Sequence, residues 1–145
     1  MKIRYLISLV IMALMSLSTM AAPLINAKEA ALPNAAGTLG TRGISRGPAV
    51  KLQSPEQDTP VVAPFEFKVN FEPRGDARID PSSVKVIYMK SPFVDLTPRL
   101  KNAISANGID FLKADVPPGN HMIRITVKDT DGRETNSVIN LVVNK

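Results

Sequence analysis

Between Phe65 and Glu72, large apolar residues alternate strictly with polar ones: Phe65, Phe67, Val69 and Phe71 against Glu66, Lys68, Asn70 and Glu72. A period of two puts all four apolar side chains on one face of a strand, whereas a helix would scatter the phenylalanines around its axis. The same alternation returns in His121, Ile123, Ile125 and Val127, opposed by Met122, Arg124, Thr126 and Lys128. Pro117-Pro118-Gly119 punctuates before that strand. Asp129-Thr130-Asp131-Gly132 supplies turn residues after it, because Gly tolerates positive φ and Asp bonds nearby backbone N–H groups. A final strand turns Ile139, Leu141 and Val143 inward. Weaker runs fill the interval: Val50 and Leu52; Val84, Val86 and Tyr88; a short edge at Val94–Leu96; Ala103–Ala106; and Gly108–Ala114 with Ile109 and Phe111 inward. Ser54–Pro60 and Pro73–Pro81 read as loops, and Thr97-Pro98 as the cap and first position of a single helical turn.

This pattern predicts an all-β domain over residues 49–145, an antiparallel sandwich of about seven to eight short strands, with a small barrel as the structural competitor. Strand length and the few aromatics, which sit on apparent core faces, argue against a membrane barrel.

Before this region the texture differs. Met1-Lys2-Ile3-Arg4 and an apolar run from Tyr5 to Leu17 lead into Ser18-Thr-Met-Ala-Ala22. A cationic start, a short apolar run and small residues mark residues 1–21 as a signal peptide, cut after Ala21, with Ala22 and Ala27 as alternatives. The run is too short for a membrane-spanning helix. Residues 22–48, rich in Ala, Gly and Pro, read as a flexible tether that buries too little to offset its chain entropy. Arg42 and Arg46 within it suit either an anionic partner or a solvated linker.

The formal charge of +5 rests partly on Lys2 and Arg4, and the remaining Lys and Arg do not cluster, so nucleic acid is not an expected partner. There is no cysteine, which excludes a lipid-modified Cys anchor, a disulfide framework and thiolate metal sites. With the signal, this points to a periplasmic or extracellular bacterial protein.

Ile79-Asp-Pro-Ser-Ser-Val-Lys-Val86, Asp95-Leu-Thr97 and Val116-Pro-Pro-Gly-Asn-His121 through Lys128-Asp-Thr-Asp-Gly-Arg133 resemble, in this order, bacterial immunoglobulin-like and fibronectin type III-like modules. The resemblance covers about Val50 to Val143. The chain departs from antibody-type domains in lacking the inter-sheet Cys pair and the core Trp. What the resemblance implies is the sandwich fold and a spacer, adhesin or appended-domain role; the fold alone does not choose among them.

Candidate chemistry is thin. His121, the sole histidine, stands where such modules place a corner Tyr, and its ring is expected to bond a backbone carbonyl across the turn. A triad would have to use it, and no Gly-x-Ser-x-Gly elbow exists. Asp129 and Asp131 resemble the opening of a calcium loop, yet the twelfth position is Asn140, so a hairpin turn is expected instead. Arg74-Gly75-Asp76 matches the integrin tripeptide, in a loop where Gly and Asp are favoured anyway. No spacing singles out a carboxylate pair for glycoside hydrolysis. Met89 and Met122 beside one His are too sparse for a copper carrier. The expectation is therefore a non-enzymatic exported module with no cofactor, no metal and no nucleic-acid partner. It would bind an envelope or extracellular protein through the loops Pro73–Ile79, Ser91–Thr97 and Asp129–Glu134, or through a strand edge. Arg74, Arg78, Arg99 and Arg133 are the candidate partner-binding residues, Arg being favoured at interfaces for its planar fork. The alternative is a carbohydrate-binding module, for which only Tyr88, Phe93 and Phe111 are left as a platform.

Overall fold

Alternation becomes sheet in the computed structural model, which describes residues 23–37 and 45–145. The expected signal peptide, residues 1–21, lies outside the described residues, as does Arg42. Nine strands are described: β1 (Ala49–Ser54), β2 (Val61–Val62), β3 (Phe65–Glu72), β4 (Ile79–Tyr88), β5 (Val94–Asp95), β6 (Ile104–Ser105), β7 (Gly108–Ala114), β8 (Gly119–Asp129) and β9 (Glu134–Asn144). Two single-turn helices, α1 (Ala27–Ala30) and α2 (Thr97–Leu100), complete the elements with a short 3-10 turn at Lys101–Ala103.

A four-stranded sheet in the order β1-β3-β7-β6 faces a five-stranded sheet in the order β2-β9-β8-β4-β5. All pairings are antiparallel except β2 with β9. With the two-residue β2 and β5 set aside, the seven remaining strands have the immunoglobulin order, first-second-fifth-fourth on one sheet and seventh-sixth-third on the other. Phe67, Val69 and Phe71 from β3 meet Val84, Val86 and Tyr88 from β4, Ile123, Ile125 and Val127 from β8 and Ile139, Leu141 and Val143 from β9 in one core. At Gly108 the backbone of β7 passes so close to Val69 that a Cβ would fall 1.9 Å from its carbonyl oxygen, so only glycine fits.

Two boundaries differ from expectation. β4 starts at Ile79, inside the expected loop, and its ladder with β8 lapses between Asp80 and Lys85. There the Ser83 hydroxyl replaces the ladder, accepting from Lys128 N–H at 2.8 Å. Thr97 does not cap α2; Leu96 is the cap residue, and the Thr97 hydroxyl instead accepts from Val86 N–H at 2.9 Å.

The larger correction concerns residues 22–48. Those described from 23 to 37 pack on the sandwich rather than forming a flexible tether. Leu24 and Ile25 are fully buried in the core, and their N–H groups both donate to Asp115 O. The next turn is closed by a capping box: Asn26 Oδ1 accepts from Glu29 N–H and Glu29 Oε2 from Asn26 N–H. Asn34 bridges to Lys90. Two apolar residues next to a cap suffice as an anchor, each stabilising by roughly 1.5–3 kcal/mol on burial, and so short a signal vanishes in an Ala/Gly/Pro-rich background.

Candidate functional site

The strand directions give the sandwich two ends. At one, the β3–β4 loop meets the β8–β9 turn, since Ile79 pairs with Asp129. At the other, the β7–β8 link meets the β4–β5 link and the N-terminal arm.

Three of the four candidate arginines gather at the first end. The Asp129 side chain, wholly inaccessible, accepts from the N–H groups of Asp131 and Arg133 and from Arg133 Nε at 2.8 Å. Burial pushes its pKa up, but the Arg133 N–H and guanidinium and the Asp131 N–H outweigh that, and the carboxyl is held below its ordinary value. Arg133 also donates from Nη2 to Asp131 Oδ2 and to Arg74 O. Arg78 joins the same turn through its backbone: its carbonyl accepts from Thr130 N–H and its N–H donates to Thr130 Oγ1. The hairpin reading of Asp129-Thr-Asp-Gly is therefore the one the geometry displays: the Asp129 oxygens are occupied by the turn itself. The guanidinium groups of Arg74 and Arg78 are exposed and take part in no ion pair among the described residues. Gly75 at positive φ turns the exposed Arg74-Gly75-Asp76 tip.

Arg99 is not with them. From α2 it reaches the arm, Nη1 donating to Leu24 O and to Glu29 Oε2 and Nη2 to Glu29 Oε1 at 2.5 Å. The Arg99 bond holds Glu29 below the ordinary carboxylate value against the opposing effect of burial. This guanidinium is spent on fastening the arm.

The same end holds a buried polar chain. His121 Nε2 bonds Pro117 O at 2.7 Å, the expected carbonyl across the turn. Because that nitrogen must donate, Nδ1 accepts, and the Tyr88 hydroxyl donates to it at 2.8 Å. Burial lowers the His121 pKa, the Pro117 bond opposes, and the Lys90 charge lowers it further; the net shift is downward. Burial, with the Glu29 charge adding, pushes Tyr88 up to about 12. Lys90 Nζ, over the Tyr88 ring, donates to Ala30 O and Asn34 Oδ1. The chain holds the neutral imidazole and locks β4, β8 and the arm together.

Tyr88 is fully buried, so it is withdrawn from the aromatic platform a glycan would need. Phe111 is half-buried and packed on the core. Phe93 stays 57% exposed, with the Arg124 guanidinium 5.5 Å from its ring centre.

One feature lay beyond sequence reasoning. A groove of about 670 Å³ runs beside the β4 edge, lined by Pro81, Ser82, Val84, Asp95, Thr97, Pro98, Lys101 and Ile104. Its residues come from two separate stretches, and the lapse in the β4 ladder that borders it has no periodicity to announce it.

No protein-family model matches the chain, and no curated protein matches it. Among solved structures, the crystal structure of CopC from Methylosinus trichosporium OB3b aligns over 66% of this chain and 94% of that one, at 13% identity and a TM-score of 0.44. A likeness that weak carries no function across.

Proposed function

We propose that this chain is an exported, non-enzymatic immunoglobulin-like module that binds an envelope or extracellular protein through the loop end bearing Arg74, Arg78 and Arg133. One observation carries the reading: Asp129 and Arg133 staple two loops into a fixed platform from which the exposed Arg74 and Arg78 side chains project with no ion pair among the described residues. A preorganised surface loses little entropy on binding, and exposed Arg forks are suited to carboxylate and carbonyl acceptors on a protein partner. In this reading residues 1–21 are removed on export, and the folded body begins near Leu24 instead of residue 49. Burial of Tyr88 removes the main support for a glycan platform.

The test is crosslinking and co-purification of the tagged mature protein from its native envelope fraction, beside an Arg74→Ala/Arg78→Ala variant and an Arg99→Ala variant. The expected result is one partner recovered with the wild type and with Arg99→Ala and lost with the double variant. Equal recovery with the double variant would remove the loop end from the interface.

A further inference from the structure

The outer face of the four-stranded sheet carries a polar hollow that shares no residue with the loop end or the arm. Its place follows from the register. Lys68 stands opposite Asp110, and Asn70 opposite Gly108, which in turn faces Ser105. Val69 and Ile109 turn into the core, so their neighbours Lys68, Asn70 and Asp110 turn outward. Gly108 interrupts the row between Asn70 and Ser105, because it has no side chain to fill it, and the backbone of Val69 leaves no space for one. The result is a hollow of about 280 Å³, with Gln53 and Asn107 completing its rim.

The groups on this rim match hydroxyls. Gln53 and Asn107 are exposed and Asn70 is half-buried. Asn107 uses its backbone locally, the N–H donating to Ser105 Oγ and the carbonyl accepting from Phe71 N–H. Its side-chain amide stays free of both bonds. Every amide carries donors and an acceptor, as every sugar hydroxyl does. Beside them, Lys68 Nζ and Asp110 Oδ2 stand 3.9 Å apart, wider than the roughly 2.7–2.9 Å of a direct charge-assisted bond. A ligand hydroxyl can bridge that pair, accepting from the ammonium and donating to the carboxylate. The two charges cancel, so the hollow favours neither an anion nor a cation. Leu112, 70% exposed, follows Asp110 by two residues on the same face and offers an apolar surface to ring C–H groups. The volume lies near the lower limit of small-molecule sites, about 300 Å³, which is room for one ring.

We propose that this hollow binds one neutral sugar ring. Adjacent hydroxyls of the ring are shared among Asp110, Lys68 and the three amides, and its C–H face lies toward Leu112. The site needs no aromatic platform, so the burial of Tyr88 does not bear on it. A free sugar and the end residue of an envelope glycan present the same chemistry.

The test titrates the whole mature protein with the methyl glycosides of glucose, mannose and N-acetylglucosamine, and with methyl glucuronide as an anionic probe. Backbone and side-chain amide signals are followed by NMR. At least one neutral glycoside is expected to saturate at millimolar concentration, shifting the side-chain NH₂ signals of Gln53, Asn70 and Asn107 and the Gly108 amide. Asp110→Ala, at an exposed position, is expected to weaken that binding by about tenfold or more, the range of a hydrogen bond to a charged group, with an unchanged unfolding midpoint. Shifts that only grow linearly with every probe would overturn the proposal, as would saturation that Asp110→Ala leaves unchanged. Tighter binding of the glucuronide than of the glucoside would overturn the neutral ligand. Sedimentation with glycan from the native envelope, competed by the saturating glycoside, would assign a glycan end; saturation without sedimentation would assign a free sugar. Arg74→Ala/Arg78→Ala leaves these readouts unaffected and Asp110→Ala leaves the loop end intact, so the two proposals fail separately.

Discussion

The two ends of the sandwich use their cations in opposite ways. At the arm end, Lys90 and Arg99 are consumed: one beneath the surface on Ala30 O and Asn34, the other on Glu29 and Leu24 O. At the loop end Arg133 is consumed on Asp129 and bonds Arg74 O, Thr130 holds the Arg78 backbone, and the Arg74 and Arg78 side chains take part in no ion pair among the described residues. Residue type therefore says little about role. An arginine fastening a buried segment and an arginine offered to a partner look alike in the chain, and only the position of the acid it meets separates them. The closed end carries stability; the open end keeps its charge available.

The sharpest way to break this contrast is at the arm. Leu24→Ala empties a fully buried site beside Ile25, and its expected cost is about 2–5 kcal/mol. The urea unfolding midpoint measures it. A loss below about 1 kcal/mol would mean that the arm lies on the body without contributing to its core, and that end would not be closed.

Asp129→Ala probes the other end. It removes the acceptor of three donors and leaves the Arg133 guanidinium without its inner partner. The expected outcome is a fall of several degrees in Tm, smaller than for Leu24→Ala, with faster amide exchange confined to the β3–β4 loop and the β8–β9 turn. Exchange spreading into the arm would show that the two ends are not independent.

What was legible in the chain follows from periodicity. The strands β3, β8 and β9 are amphipathic over many residues, and their burial matches the alternation residue by residue. The His121–Pro117 bond was legible too, because the turn and the strand it joins adjoin in sequence. The arm was not legible: Leu24 and Ile25 are two residues in a stretch whose average composition denies a core, and their partners are Asp115 and Arg99, far along the chain. For the same reason Arg99 was grouped with the wrong arginines. The groove beside β4 depends on a ladder lapse between Asp80 and Lys85, a matter of register that no side-chain pattern records.

Acid should dismantle the closed end in two stages. The folded-state pKa of His121 lies below its ordinary value of 6.5, so the unfolded chain binds the extra proton. Stability is thus complete above about pH 6.5 and declines as pH falls below it. Glu29 is likewise lowered from 4.5, so its contribution is lost only as pH falls below about that value. Unfolding midpoints measured from pH 8 to 4 are expected to fall first below 6.5 and then more steeply near 4. His121→Gln removes the first stage and keeps the second. A wild-type profile flat between pH 7 and 5 would contradict the buried neutral imidazole.

The smallest effect on stability should be the most informative about function. Arg74 and Arg78 form no described ion pair, and their side chains project from loops whose geometry is set by backbone bonds to Arg133 and Thr130. The Arg74→Ala/Arg78→Ala variant should therefore unfold at the wild-type midpoint and keep the wild-type exchange pattern, surface changes of this kind lying within about 0.5 kcal/mol. If the loop end is the interface, the same variant loses its partner, and the loss cannot be blamed on the fold. Arg99→Ala should do the reverse: it frees Glu29 and Leu24 O, lowers the midpoint and spares the partner. A double variant that is as destabilised as Arg99→Ala would show that these guanidinium groups help hold the loops. The two ends would then differ in degree, and the case for the open end as a binding platform would lose its physical basis.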